Sequence, residues 1–451
     1  MQQRLLNMAH GIGPAFTVPD RLARLTVFAS VFSSVIEMKA RIIALAMGLL
    51  VVSHVAVAAP PPVPDIAGHA SRLSIYIAKG AANSCGQGCD LWIAVEGKVD
   101  VGAAARIRQF LRKTKSAESL PFYFHSPGGA FRDGLAIGRM LRARNAVARV
   151  AKTIVGACAA GTQIDEACLK LKNAGGELEA TLMTRGAMCN SACSYLFLGA
   201  TTREVAPDAA LGVHSSRIIL RFTGNPTPRQ QAEVMANRRS QSNQEASSFV
   251  KAMGISHELV ELIRTVAFES GHVLTRQELY RFGIDKRELV ETGWALETKA
   301  RPFVQKFALL KKANDEFRTL EWRLYCEPKD RARLMFIRQF DKGANASSIA
   351  MVSGSEKPLT FGNIPSRVGG YEVWTAVIKS DAVKDLFAEP RVQVGESASM
   401  PDGKSTKAMF EIDTQGLDNA WTQLSATCLT KAPAATPAVT APAVPVPAAN
   451  R

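Results

Sequence analysis

Three short stretches of the chain carry residue types suited to acyl-transfer chemistry. The first is Ser126-Pro127-Gly128-Gly129, where the apolar run Phe122-Tyr123-Phe124 stops and a helical pattern then resumes. Glycines lack the Cβ that would keep a ligand away, and their N–H groups can turn outward, which suits an oxyanion hole whose donors stand fixed before charge develops. The second is Ser191, at the head of the apolar helix candidate in "CNSACSYLFLGA". A serine hydroxyl is a poor nucleophile until a base takes its proton, and a helix start supplies backbone N–H groups beside it. The third is His214, 23 residues later, closing the strand candidate Leu211-Gly212-Val213 and able to serve as that base. Taken singly, each has a plainer reading. The turn can be a simple strand-to-helix connection, Ser191 a helix cap with Ser194 close by, and His214 a satisfied core histidine.

In order and spacing, "HSPGG", "CNSACSYLFLGA" and "GVHSS" resemble the proteolytic subunit of the Clp protease and its crotonase-superfamily relatives, especially exported (periplasmic) ClpP-like serine proteases. "WIAVEGKVDVGAAARIRQFL" is similar to that family's opening strand, Gly turn and helix, so the resemblance spans about residues 90 to 290. It implies an α/β fold with a ClpP/crotonase-like repeated ββα core. It also implies that Ser191 is the nucleophile, His214 the general base, and the N–H groups of Gly129 and Ala192 the oxyanion hole. The family's third catalytic member is an acid shortly before a segment like "LTRQELYRFGI", a position that falls here on Gly271, which has no side chain. Glu269 is the nearby candidate; without it the site is either a Ser/His pair of lowered activity or an inactive one.

The expected function is therefore an exported serine endopeptidase acting on a peptide or protein, with no cofactor and no metal. The alternative is a catalytically degenerate ClpP-like module that binds peptides or envelope polymers. Acyl-CoA chemistry, known elsewhere in the superfamily, conflicts with export. His125 is a candidate cleft residue, whereas His257 and His272 lie in polar stretches and are expected to face solvent.

The elements that must position these residues alternate strand and helix. Leu91 to Val95 reads as a strand, Ala103, Ile107, Phe110 and Leu111 recur at helical spacing, and Ile137, Met140 and Leu141 mark a further helix. Residues 151–187, rich in Gly and Ala, read as a loop or small insertion. Two polar helices follow at about 228–253 and 256–267, and Thr275 with Glu278 forms a capping box for a helix stopped by Gly283. From residue 301 a charged helical stretch is expected to Tyr325, then strands in "ARLMFIRQF", "GYEVWTAVI" and "KAMFEID", and an amphipathic helix carrying Leu417, Trp421 and Leu424. The divisions are an upstream extension or early mis-start over 1–37, a signal peptide over 38–58, a ClpP-like domain over 59–300, a smaller α+β domain over 301–430, and an Ala/Pro-rich disordered tail over 431–451.

Lys39 and Arg41, the apolar run Ile42 to Val52 and Ala56-Val57-Ala58 are the three parts of a secretory signal, predicting a bacterial periplasmic or secreted protein. An inner-membrane anchor by the uncleaved signal is the alternative. The formal net charge of +15 is spread among acids rather than gathered in an arm, which argues against nucleic acid and leaves weak attraction to anionic envelope surfaces. A homo-oligomer is compatible with this reading. All eight cysteines (Cys85, Cys89, Cys158, Cys168, Cys189, Cys193, Cys326 and Cys428) follow the cleavage site, and their even number argues for disulfides. Cys326 is expected to pair with Cys428. The other six leave the connectivity open, with Cys85/Cys89 and Cys158/Cys168 as local options and a zinc site as the weaker alternative.

Overall fold

The computed structural model describes residues 71–114, 119–298, 301–340, 347–352, 359–361, 365–386, 388–399 and 405–428. The expected extension, signal peptide and tail lie outside these residues.

Up to residue 285 the elements are β1 (Ser74–Lys79), β2 (Leu91–Glu96), α1 (Ala103–Lys113), β3 (Phe122–His125), α2 (Phe131–Ala143), β4 (Val147–Val150), β5 (Lys152–Val155), α3 (Glu166–Asn173), β6 (Glu177–Met183), β7 (Met188–Asn190), α4 (Ala192–Gly199), β8 (Thr202–Glu204), β9 (Ala210–Val213), α5 (Pro228–Ala252), α6 (Glu258–Thr265), β10 (His272–Val273) and α7 (Arg276–Arg281). The fold is mixed α/β. Its main sheet runs β5-β6-β1-β2-β3-β4-β8, with β2, β3, β4 and β8 parallel, as the helices α1, α2 and α4 between them require. A small second sheet, β10-β9-β7, meets the end of β3: the Ser126 N–H donates to the Met188 carbonyl at 2.8 Å and the Asn190 N–H to the Ser126 carbonyl at 3.0 Å.

α4 is apolar on every face and buried along its whole length, the pattern of a helix enclosed by protein. It crosses α2 with almost no space between backbones. A Cβ added at Gly199 would lie 2.2 Å from the Gly138 carbonyl oxygen, and one at Gly134 would lie 2.7 Å from the Ala192 carbonyl oxygen. This crossing holds the start of α4 against the end of β3.

Residues 151–187 depart from the loop expectation. β5 and β6 form an antiparallel hairpin, and β6 joins the main sheet beside β1. Only Ala180 of β6 is buried, so the apolar alternation that would mark a strand is missing there. α3 is bridged to residue 158 by the Cys158–Cys168 disulfide; Cys85–Cys89 and Cys189–Cys193 are also formed.

The remaining elements are β11 (Leu289–Glu291), β12 (Ala295–Glu297), β13 (Phe303–Lys311), β14 (Phe317–Glu327), β15 (Arg331–Gln339), β16 (Ser347–Val352), β17 (Leu359–Thr360), β18 (Ser366–Val368), β19 (Tyr371–Lys379), α8 (Ser380–Leu386), β20 (Arg391–Ser399), β21 (Ser405–Asp413) and α9 (Leu417–Cys428). The expected charged helix over 301–325 is instead the hairpin of β13 and β14. The inward positions of β13 are Val304, Lys306 and Ala308, and a wholly buried lysine hides the period-2 pattern. Lys306 is held by Glu291 at 3.1 Å and Asp413 at 2.9 Å. Because β11 and β12 both pair with β13, this second sheet system begins before residue 301. Its core of Trp322, Phe336 and Trp374 is joined by Leu417, Trp421 and Leu424 from α9. Cys326 is disulfide-bonded, and the side chain of its expected partner Cys428 lies outside the described residues.

Candidate active site

The glycine turn is clamped from one side and pressed against Ser191 on the other. The Val99 N–H donates to the Gly128 carbonyl at 2.8 Å, and the Ala130 N–H donates to the Val99 carbonyl at 2.6 Å. Gly128 and Gly129 have φ of 97° and 145°, backbone that side-chain-bearing residues rarely adopt. A Cβ at Gly129 would lie 2.1 Å from the Val99 carbonyl oxygen. The Gly128 N–H is spent on the Ser126 hydroxyl at 3.1 Å. The Gly129 N–H has no protein acceptor among the described residues.

Ser191 sits on a sharp corner between β7 and α4, with φ 56° and ψ −123°. A non-glycine residue held there costs on the order of 1–3 kcal/mol, so the surrounding structure must enforce it. The enforcement is visible. The Ser191 N–H donates to the Gly212 carbonyl at 2.9 Å, its carbonyl accepts from the Ser194 N–H at 3.0 Å, and the Cys189–Cys193 disulfide spans the corner. The helix-cap reading does not hold, because the Ser191 hydroxyl makes no capping bond. Ser194, the neighbouring serine, is buried with its hydroxyl committed to the Gly212 carbonyl at 2.6 Å and the Cys189 carbonyl at 3.2 Å. Ala192 opens the helix with an N–H that has no intrahelical acceptor, as the first residues of any helix must.

His214 follows β9, which runs parallel to β7 with Gly212 opposite Asn190. Its Nδ1 lies 2.8 Å from the Ser215 carbonyl oxygen. A carbonyl oxygen only accepts, so Nδ1 carries a proton, and in the neutral ring the lone pair is then on Nε2. Ser215 is itself fixed by its N–H donating to the Val266 carbonyl at 2.9 Å. Phe268 meets the ring edge-on at 4.7 Å between centroids. Among the described residues no hydrogen bond joins the His214 ring to the Ser191 hydroxyl.

The structure thus brings together Gly128, Gly129, Ser191 and Ala192, and places His214 two residues beyond the Ser191 backbone partner Gly212. It does not bring in Glu269, which is exposed and makes no bond to His214 among the described residues. Gly271, at φ 58°, carries no side chain to take its place. The loop reaches the imidazole through Phe268 instead. That contact and the Ser215 carbonyl were both missed by sequence reasoning. An aromatic residue has no catalytic signature, and a backbone oxygen has no sequence signature at all.

The other histidines fall elsewhere. His125 shares a strand face with Tyr123 rather than with Phe124, and Phe124 packs in the core containing α4. Its Nδ1 accepts the Met188 N–H at 3.2 Å, and burial pushes its pKa down to about 4, with Lys152 and Lys172 adding to the effect against Glu96. It is therefore a neutral structural residue and not a cleft residue. His272 is half-buried and bound to the Glu278 carboxylate at 2.9 Å, contrary to the solvent-facing expectation. Burial works to raise the Glu278 carboxyl, but the Thr275 N–H and the His272 ring outweigh it and hold the group below its usual range. His257 is exposed beside Glu261.

No protein-family model and no curated protein matches the chain. Among solved structures, it is similar to a serine-to-alanine variant of the 1510-N membrane-bound stomatin-specific protease, with 15% identity over 43% of this chain and 75% of that one and a TM-score of 0.27. A lysine-to-alanine variant of the same protease, in complex with a substrate peptide, matches with 15% identity over 43% of this chain and 71% of that one and a TM-score of 0.26. Invasion associated protein B from Bartonella henselae matches with 10% identity over 31% of this chain and 93% of that one and a TM-score of 0.23.

Proposed function

We propose that this chain is an exported serine peptidase that hydrolyses peptide bonds with Ser191 as nucleophile and His214 as general base. The observation that carries the reading is the state of Ser191. Its backbone is held in a left-handed corner, its hydroxyl is not used for capping, and a bare glycine turn lies against it.

In the proposed reaction Ser191 Oγ attacks the scissile carbonyl carbon while His214 Nε2 takes the hydroxyl proton. The carbonyl oxygen becomes an oxyanion between the N–H groups of Gly129 and Ala192. The C–N bond then breaks, the leaving amine takes the proton from His214, and water repeats the sequence on the acyl-enzyme. Each oxyanion donor contributes about 2.7–4 kcal/mol of barrier lowering in sites of this kind. Ser215 does part of the work of a third acid: its carbonyl fixes the tautomer, but as a neutral group it stabilises the imidazolium less than a carboxylate would. The contact between His214 and Ser191 must close when substrate arrives, as catalytic hydrogen bonds commonly do.

The Cys85–Cys89, Cys158–Cys168 and Cys189–Cys193 disulfides accord with an oxidising compartment and hence with the secretory signal read at residues 38–58. That Glu269 makes no bond to His214 among the described residues favours the second reading, a degenerate module that grips peptides without cutting them. A fluorophosphonate probe separates the two. Labelling that disappears in Ser191→Ala supports the peptidase, and no labelling between pH 6 and 9 supports the binding module.

A further inference from the structure

Next to His214 lies a polar cavity of about 190 Å³, with walls that include Ser215, Ser216, Ser242, Asn243, Arg239 and Arg264. Two arginines line a space that no Asp or Glu lines. All four carboxylates on α5 and α6 are engaged elsewhere: Glu233 with Arg229, Glu245 with Arg132, Glu258 with Arg281 and Glu261 with His257. Arg239 and Arg264 therefore make no ion pair among the described residues. The hydroxyl and amide groups around them complete a site in which an anion would find several donors. The volume holds about six waters at liquid density, enough for one carboxylate on a short stem.

The cavity is also tied to the base. Ser215 forms part of its wall and at the same time accepts the His214 Nδ1–H at 2.8 Å. At the same loop Arg217 lies over the Phe268 ring at 5.6 Å, which adds a third positive charge near the edge-on contact with His214. We infer that this cavity is a subsite for a carboxylate group of the bound peptide, seated between Arg239 and Arg264 beside the catalytic base. It rests on the peptidase reading only for the identity of the molecule that carries the carboxylate. The same chemistry is offered by a Glu or Asp side chain and by a peptide C-terminus. Guanidinium groups suit it because their planar N–H pairs match carboxylate oxygens.

The test is binding, which does not require turnover. Full-length Ser191→Ala protein is titrated with two pairs of fluorescent peptides: Glu against Gln at one position with an amidated C-terminus, and a neutral sequence with a free against an amidated C-terminus. Because both arginines are exposed, the expected preference for the carboxylate member of one pair is about five- to tenfold. Arg239→Gln with Arg264→Gln abolishes the preference. Arg238→Gln with Lys251→Gln, which removes the same charge outside the cavity, preserves it. The pair that shows the preference identifies the source of the carboxylate. Equal binding within both pairs, no binding of any peptide, or a preference that survives loss of Arg239 and Arg264 overturns the proposal. Failure of the peptidase reading shows separately, as absent fluorophosphonate labelling of protein that keeps Ser191.

Discussion

Gly128 and Ser191 touch so closely that no methyl group fits between them: a Cβ at Gly128 would stand 2.5 Å from the Ser191 Cβ and 2.9 Å from the Ala192 nitrogen. The turn after β3 and the start of α4 are thus one structural unit, and the amides of Gly129 and Ala192 belong to it. Gly128→Ala is expected to cost about 2–4 kcal/mol of stability, from strained backbone and a clash with atoms that cannot move aside, and to lower Ser191 reactivity by roughly a hundredfold. Thermal unfolding and the rate of fluorophosphonate labelling read the two effects separately.

Ser194→Ala separates structure from chemistry. It removes a buried hydroxyl that donates to the Gly212 and Cys189 carbonyls, so stability falls by about 1–2 kcal/mol. Labelling of Ser191 survives in the folded protein. A labelling loss as complete as that of Ser191→Ala would mean that the wrong serine has been assigned.

Much of this unit is legible in the amino-acid sequence. The paired glycines, the all-apolar helix and a histidine after a short strand are local signals, and each falls where its pattern points. What is not legible has physical causes. β6, second from the end of the sheet, has only Ala180 buried, so it lacks apolar alternation, and Lys306 occupies an inward strand position because Glu291 and Asp413, far apart in sequence, neutralise it. Ser215 acts through its carbonyl oxygen, which every residue possesses. Glu269 is the nearest acid by counting, yet the chain direction at this loop turns Phe268 toward the ring.

The Cys189–Cys193 disulfide closes a short loop across the Ser191 corner. Chain-entropy arguments give about 2 kcal/mol for a loop of this length. Replacing both cysteines by alanine should lower the unfolding midpoint and slow labelling of Ser191, because the left-handed corner loses a restraint. Unchanged labelling kinetics in the double variant would show that the corner is held by the Gly212 and Gly128 contacts alone.

His125 predicts the direction of a pH effect. Its folded pKa is pushed down to about 4, while an unfolded histidine titrates near 6.5, so between these values the unfolded chain binds more protons. Stability is then complete above about pH 6.5 and falls by about 2–3 kcal/mol as the pH drops toward 4. His125→Gln should flatten that part of the profile in urea unfolding measured across the range. A profile of the variant parallel to that of the native protein would refute the assignment.

The central claim is that one carbonyl carbon can be reached by Ser191 while its oxygen lies between the amides of Gly129 and Ala192. A crystal structure of the protein after reaction with a fluorophosphonate measures this directly. The account predicts a phosphorus bonded to Ser191 Oγ, its oxygen about 3 Å from both amide nitrogens, and His214 Nε2 turned toward the adduct. An adduct on another residue, no adduct, or a phosphoryl oxygen pointing into solvent would contradict it.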